Sequence, residues 1–108
     1  SPEARGRGEQ RPVSVIVNER GARALRGTQL PLAGSVVDEL GRGVGGLRVE
    51  VWIGSERRHE RMLLGVSVTD EAGRFSASLG IPPDLQVGDY SLWVLTPGNA
   101  DYAAAMAP

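Results

Sequence analysis

The stretch Thr69-Asp70-Glu71-Ala72-Gly73-Arg74-Phe75-Ser76-Ala77-Ser78-Leu79-Gly80-Ile81 joins a tight turn to an alternating strand. Asp70 carries a carboxylate short enough to accept the turn's own amides. Gly73 tolerates the positive φ that such turns require, and Phe75 returns the chain to the core. Beyond the turn, Phe75, Ala77, Leu79 and Ile81 alternate with Arg74, Ser76, Ser78 and Gly80, the period-two pattern of a half-buried strand. Pro82-Pro83 ends it, because missing amides stop a ladder. Upstream, Leu64, Val66 and Val68 read as the inward face of the preceding strand, so the turn reads as a hairpin.

The same period extends outward in both directions. Leu47, Val49, Val51 and Ile53 share one strand face, with Arg48, Glu50 and Trp52 on the other, and the charged segment from Gly54 to Arg61 reads as a hairpin tip. Leu32, Gly34 and Val36 form the inward face of an earlier strand, ended by Asp38-Glu39-Leu40-Gly41-Arg42-Gly43. Val13 to Val17, rich in β-branched residues, reads as a first strand at a sheet edge, and Asn18 to Thr28 as a polar loop. Downstream, Tyr90, Leu92 and Val94 alternate with Ser91, Trp93 and Leu95, and Pro97-Gly98 closes that strand. The Ala-rich tail from Ala103 to Ala107 is too short for a stable helix and reads as a short last strand or a linker. The expectation is a single all-β antiparallel sandwich of about seven strands over residues 13–106. Residues 1–12, mixing charge with Gly and Pro, read as a flexible linker.

Composition narrows the function classes. The chain has 108 residues, enough for one core, and 15 Gly and 7 Pro punctuate many short elements. A formal net charge of −1 argues against the positive field that nucleic-acid binding requires. All 12 basic residues are Arg, scattered along the chain in the manner of a codon bias rather than clustered as a recognition patch. Without Cys there is no disulfide or thiolate metal site, and no apolar run approaches the length of a membrane-spanning helix. The start at Ser1-Pro2, with no signal peptide, suggests a domain taken from a longer polypeptide.

Three pieces in order carry a resemblance: Leu32 to Asp38 followed by Gly41, Gly46 to Val51, and Thr69 to Phe75 followed by Leu85 to Leu92. Over about residues 30–102 the chain resembles bacterial immunoglobulin-like and carboxypeptidase-regulatory-like (transthyretin-like) domains. The resemblance implies an immunoglobulin-like or a transthyretin-like sandwich. It also implies a modular role in the cell envelope: an extracytoplasmic domain that spaces or docks neighbouring domains, or another envelope protein, without activity of its own. Asp70, Gly73 and Phe75 match the turn of these families. Tyr90, at a strand start, matches a tyrosine corner, its ring buried and its hydroxyl bonded to backbone. Either the final strand of the pattern is abbreviated here or the sequence stops before it.

No reactive constellation stands out. His59, the one histidine, sits among Glu56, Arg57, Arg58, Glu60 and Arg61 and reads as part of a solvated tip. Asp38, Glu39, Asp70, Glu71 and Asp101 lie in candidate loops for calcium, the alternative cofactor, but no D-x-D-x-D-G spacing joins them; the expectation is no cofactor and no catalytic residue. Gly41-Arg42-Gly43-Val44-Gly45-Gly46 precedes a strand and lacks a Gly-Lys-Ser ending, so it reads as a long flexible loop rather than a phosphate cradle. Trp52 and Trp93 are the least ordinary residues, since period-two counting places both on outward faces of neighbouring strands. Together with Leu95 they form a candidate surface for carbohydrate or peptide, or else lie covered by an arm such as residues 18–29. No apolar stripe remains once the core is filled, so a monomer is expected.

Overall fold

Val15, Leu32, Val36, Val49, Val51, Phe75, Leu79 and Val94, the inward residues of alternating segments, meet in one buried cluster. Each such side chain contributes about 1.5–3 kcal/mol relative to exposure. The computed structural model describes residues 10–18, 29–55, 60–81 and 91–108. Within them the regular elements are strands: β1 (Val13–Val17), β2 (Gln29–Asp38), β3 (Arg48–Ser55), β4 (Glu60–Val68), β5 (Arg74–Gly80), β6 (Ser91–Thr96) and β7 (Ala105–Met106). They form two antiparallel sheets that enclose the core, one ordered β1-β2-β5 and the other β4-β3-β6-β7. The first nine residues of the expected linker, residues 19–28, the tip at 56–59 with His59, and residues 82–90 with Tyr90 lie outside the described residues.

Four expectations need correction. Val66 and Val68 do not face the core: they are 42% and 60% exposed. β4 bulges opposite Val51/Trp52, where Val51 pairs with Gly65 and Trp52 with Leu63. The extra residue, Leu64, still packs against the core, but it puts Gly65 and Ser67 opposite the buried Val51 and Val49 and turns the valines outward. A Cβ at Gly65 would meet the Leu79 side chain at 2.7 Å, so the small residue there makes room for a core leucine of the facing sheet.

The turn at Asp70–Gly73 is also not a hairpin, because its flanking strands belong to different sheets. Asp70 Oδ1 accepts the amides of Ala72 and Arg74 at 2.9 Å each, and Gly73 adopts φ 80°. The same device occurs at Asp38, whose Oδ1 accepts the amides of Leu40 and Arg42, with Gly41 also at φ 80°. Asp38-Glu39-Leu40-Gly41-Arg42 and Asp70-Glu71-Ala72-Gly73-Arg74 are therefore one turn used twice. Each lies on a connection that carries the chain from the three-stranded to the four-stranded sheet or back.

Residues 41–46, expected as a flexible loop, are instead clamped. Val44 is buried, and its amide donates to Val36 O, while the Val36 amide donates to Gly73 O. A Cβ on Gly43 would overlap the Ala72 carbonyl, and one on Gly73 would come within 2.6 Å of Gly43 Cα. Only glycine lets the two crossing loops approach this closely. Thr69, 4% exposed, ties them together: its hydroxyl donates to Val44 O at 2.6 Å and accepts the Leu47 amide at 2.9 Å. Its backbone amide donates to Leu47 O, and its carbonyl accepts from Gly46.

Finally, the end of the expected linker is part of the fold. Arg11 forms a parallel bridge with Tyr102, donating to Asp101 O and accepting from Ala103 N, and Gln10 Nε2 donates to Asn99 O. The Ala-rich tail supplies β7, two residues paired with Leu95 and Thr96.

Thr69→Val removes the hydroxyl at nearly constant volume and leaves the buried Leu47 amide and Val44 carbonyl without that partner. Denaturant unfolding is expected to show a loss of about 1–3 kcal/mol, with Thr69→Ser retaining most of it. Equal stability of native protein and Thr69→Val would contradict this role.

Candidate functional site

Because β3 and β6 are hydrogen-bonded neighbours, residues in register on their solvent face are placed side by side. Trp52 pairs with Trp93 across the two strands, and Leu63 of β4 lies opposite Trp52 on its other side. One step along, Glu50 faces Val66 on β4 and Leu95 on β6, and Leu95 faces Met106 on β7. Glu50, Trp52, Arg61, Trp93, Leu95 and Met106 line a shallow, open groove of about 240 Å³. The two indoles and Leu95 are half-buried, and Met106 is 52% exposed. The period-two reading thus names three residues that the fold brings together. The segment 19–28, part of the expected covering arm, lies outside the described residues; Asn18 and Gln29, which flank it, adjoin or belong to strands of the other sheet.

The charges of this face are arranged around the indoles. Glu50 Oε2 accepts from Arg48 Nε at 2.8 Å, and Glu50 Oε1 accepts from Trp52 Nε1 at 3.0 Å. The Arg48 hydrogen bond, then the indole N–H, hold the Glu50 carboxyl below its ordinary range, against a smaller opposing effect of partial desolvation. Arg61 lies opposite Gly54, which has no side chain to block it, and reaches across β3 to place its guanidinium 4.9 Å from the Trp93 ring centroid.

Arg61 and Met106 were not among the residues singled out from the sequence. Arg61 reads there as part of a charged tip, and Met106 sits in an alanine tail. Only strand pairing brings them to the tryptophans. The register shift at Leu64 adds Leu63 and Val66 to the same outer face.

The other candidates disperse. Asp38 and Asp70 each spend a carboxylate oxygen on two amides of their own turn. Asp38 is held below the ordinary aspartate range, chiefly by the Arg42 amide and further by the Leu40 amide and the Arg42 guanidinium at 3.3 Å. Among the described residues, no three His, Cys, Asp or Glu side chains converge as a metal site would require.

Since the folded pKa of Glu50 lies below its unfolded value, its contribution to stability is fully present above the ordinary glutamate pKa. It is lost as pH falls through the lowered folded value. An acid titration of the Trp52 indole N–H resonance is expected to show a midpoint below the ordinary glutamate range, moving upward in Arg48→Met. A midpoint at the ordinary value, unchanged by that substitution, would contradict the contact. No protein-family model matches the chain, and no curated protein matches it.

Proposed function

We propose that this chain is a non-catalytic interaction module of a larger extracytoplasmic protein, docking a neighbouring domain or another envelope protein through the outer face of β4-β3-β6-β7. The observation that carries the reading is the Trp52–Trp93 cross-strand pair on the solvent side of that sheet. Aromatic residues are enriched where protein surfaces meet, since they bring large contact area at low entropic cost. Leu63, Val66 and Met106 widen the apolar area around the pair. In support of a non-catalytic role, Asp38 and Asp70 serve turns, and Glu50 serves Arg48 and Trp52.

An immunoglobulin-like strand order is part of the same proposal. The first, second and fifth strands pair in one sheet, and the third, sixth and seventh in the other, as strands A, B, E and C, F, G do in immunoglobulin domains. That pairing favours it over the transthyretin-like alternative. The bacterial, extracytoplasmic setting rests on the resemblance of residues 30–102.

A carbohydrate ligand has less support. Sugars need an open aromatic face and several partners for their hydroxyls. Here Arg61 lies over Trp93, and the Trp52 N–H and both Glu50 oxygens already have partners.

A photoreactive amino acid at Met106, with Ser76 on the outer face of the three-stranded sheet as control, tests the docking face in the full-length protein. Cross-links from position 106 to a neighbouring domain or an envelope protein, and few from position 76, are expected. Equal cross-linking from both positions would contradict the proposal. Full-length protein retained in the cytoplasm would contradict the setting.

A further inference from the structure

The docking face has an uneven electrical character. Its carboxylate, Glu50, holds one donor on each oxygen, Arg48 at 2.8 Å and the Trp52 indole at 3.0 Å. Two cations of this face among the described residues differ: Arg48 is paired with Glu50, whereas no described acid pairs with Arg61. The contact of Arg61 with the Trp93 ring engages its charge through the π-system and holds the side chain over the groove. A guanidinium has five N–H donors in a planar fork that matches a carboxylate, and here no acid among the described residues is engaged with them. Around it, Leu95, Met106 and the edges of the indoles are apolar.

From this we infer that the groove takes an acidic peptide segment of the partner protein, whose Asp or Glu carboxylate pairs with Arg61 while its apolar side chains lie over Leu95 and Met106. The inference rests on the docking reading above and names the chemistry of the partner. A polyhydroxylated ligand would find few unsatisfied hydrogen-bonding groups beside Arg61. A basic peptide would meet the Arg61 charge, which no acid among the described residues pairs with, and Glu50 is already held by Arg48. An alternation of acid and apolar residue meets both the charge and the surface. Because Arg61 is held over Trp93 before the ligand arrives, little ordering remains to be done on binding.

Selection of a random peptide library on the immobilised chain, on Arg61→Gln and on Trp52→Ala tests this. Arg61 is exposed, so its substitution is expected to leave the fold intact. Sequences with Asp or Glu beside Leu, Phe or Met are expected to be enriched on the native chain. Their affinity is expected to fall about tenfold or more on Arg61→Gln, the scale of one charge-assisted contact. Enriched peptides that need Trp52 but show no acidic bias would overturn the acidic partner and leave the docking face standing. Peptides indifferent to both substitutions would overturn both. Binding of polygalacturonate with no peptide enriched would overturn the proposal in favour of an acidic glycan.

Discussion

The buried hydroxyl of Thr69 sits where the two sheets are stitched together. The chain passes from β2 to β3 through residues 39–47 and returns from β4 to β5 through residues 69–73, and these crossings touch. A polar backbone taken from water needs partners, and Thr69 provides them with its hydroxyl, amide and carbonyl at once. The glycines at 43 and 73 allow the approach, and the paired Asp turns shape each crossing. With the crossings fixed, Leu47 and Val44 are drawn into the core, and β3 is set between β4 and β6. The position of the tryptophan face follows from that placement of β3.

Much of this was legible in the sequence because period two is a local signal. The inward sets of β2, β3 and β5 are carried by residues two apart, and burial follows them closely. What was not legible depends on pairing. One extra residue, Leu64, reverses the exposure of Val66 and Val68, and nothing in the composition of β4 marks it. The turn at Asp70 is equally compatible with a hairpin and with a crossing between sheets. Only docking of Gly73 on Val36 decides between them. Residues 41–46 look loose because glycine usually marks freedom. At Gly43 and Gly45 it marks close contact instead.

The site divides in the same way. Trp52, Trp93 and Leu95 could be assigned to the outer face by counting, since each lies on a strand with clear alternation. Their environment could not. Arg61 comes from the far strand, Met106 from a tail with no strong pattern, and each reaches the groove only through register. The result is an aromatic pair braced from two sides, Trp52 by its N–H to Glu50 and Trp93 by the Arg61 guanidinium. Bracing of this kind limits side-chain freedom, which would lower the ordering cost of the proposed docking.

The central claim is that this face is open in the isolated domain and closed by a partner in the whole protein. Quenching of tryptophan fluorescence by acrylamide and iodide, in the isolated chain and in the full-length protein, tests it most directly, since Trp52 and Trp93 are the chain's 2 tryptophans. The account predicts indoles accessible to both quenchers in the isolated domain, and, after correction for other tryptophans, protected when the neighbouring domain or partner is present. Indoles already shielded in the isolated domain would mean that the chain covers its own tryptophans, and would contradict the claim.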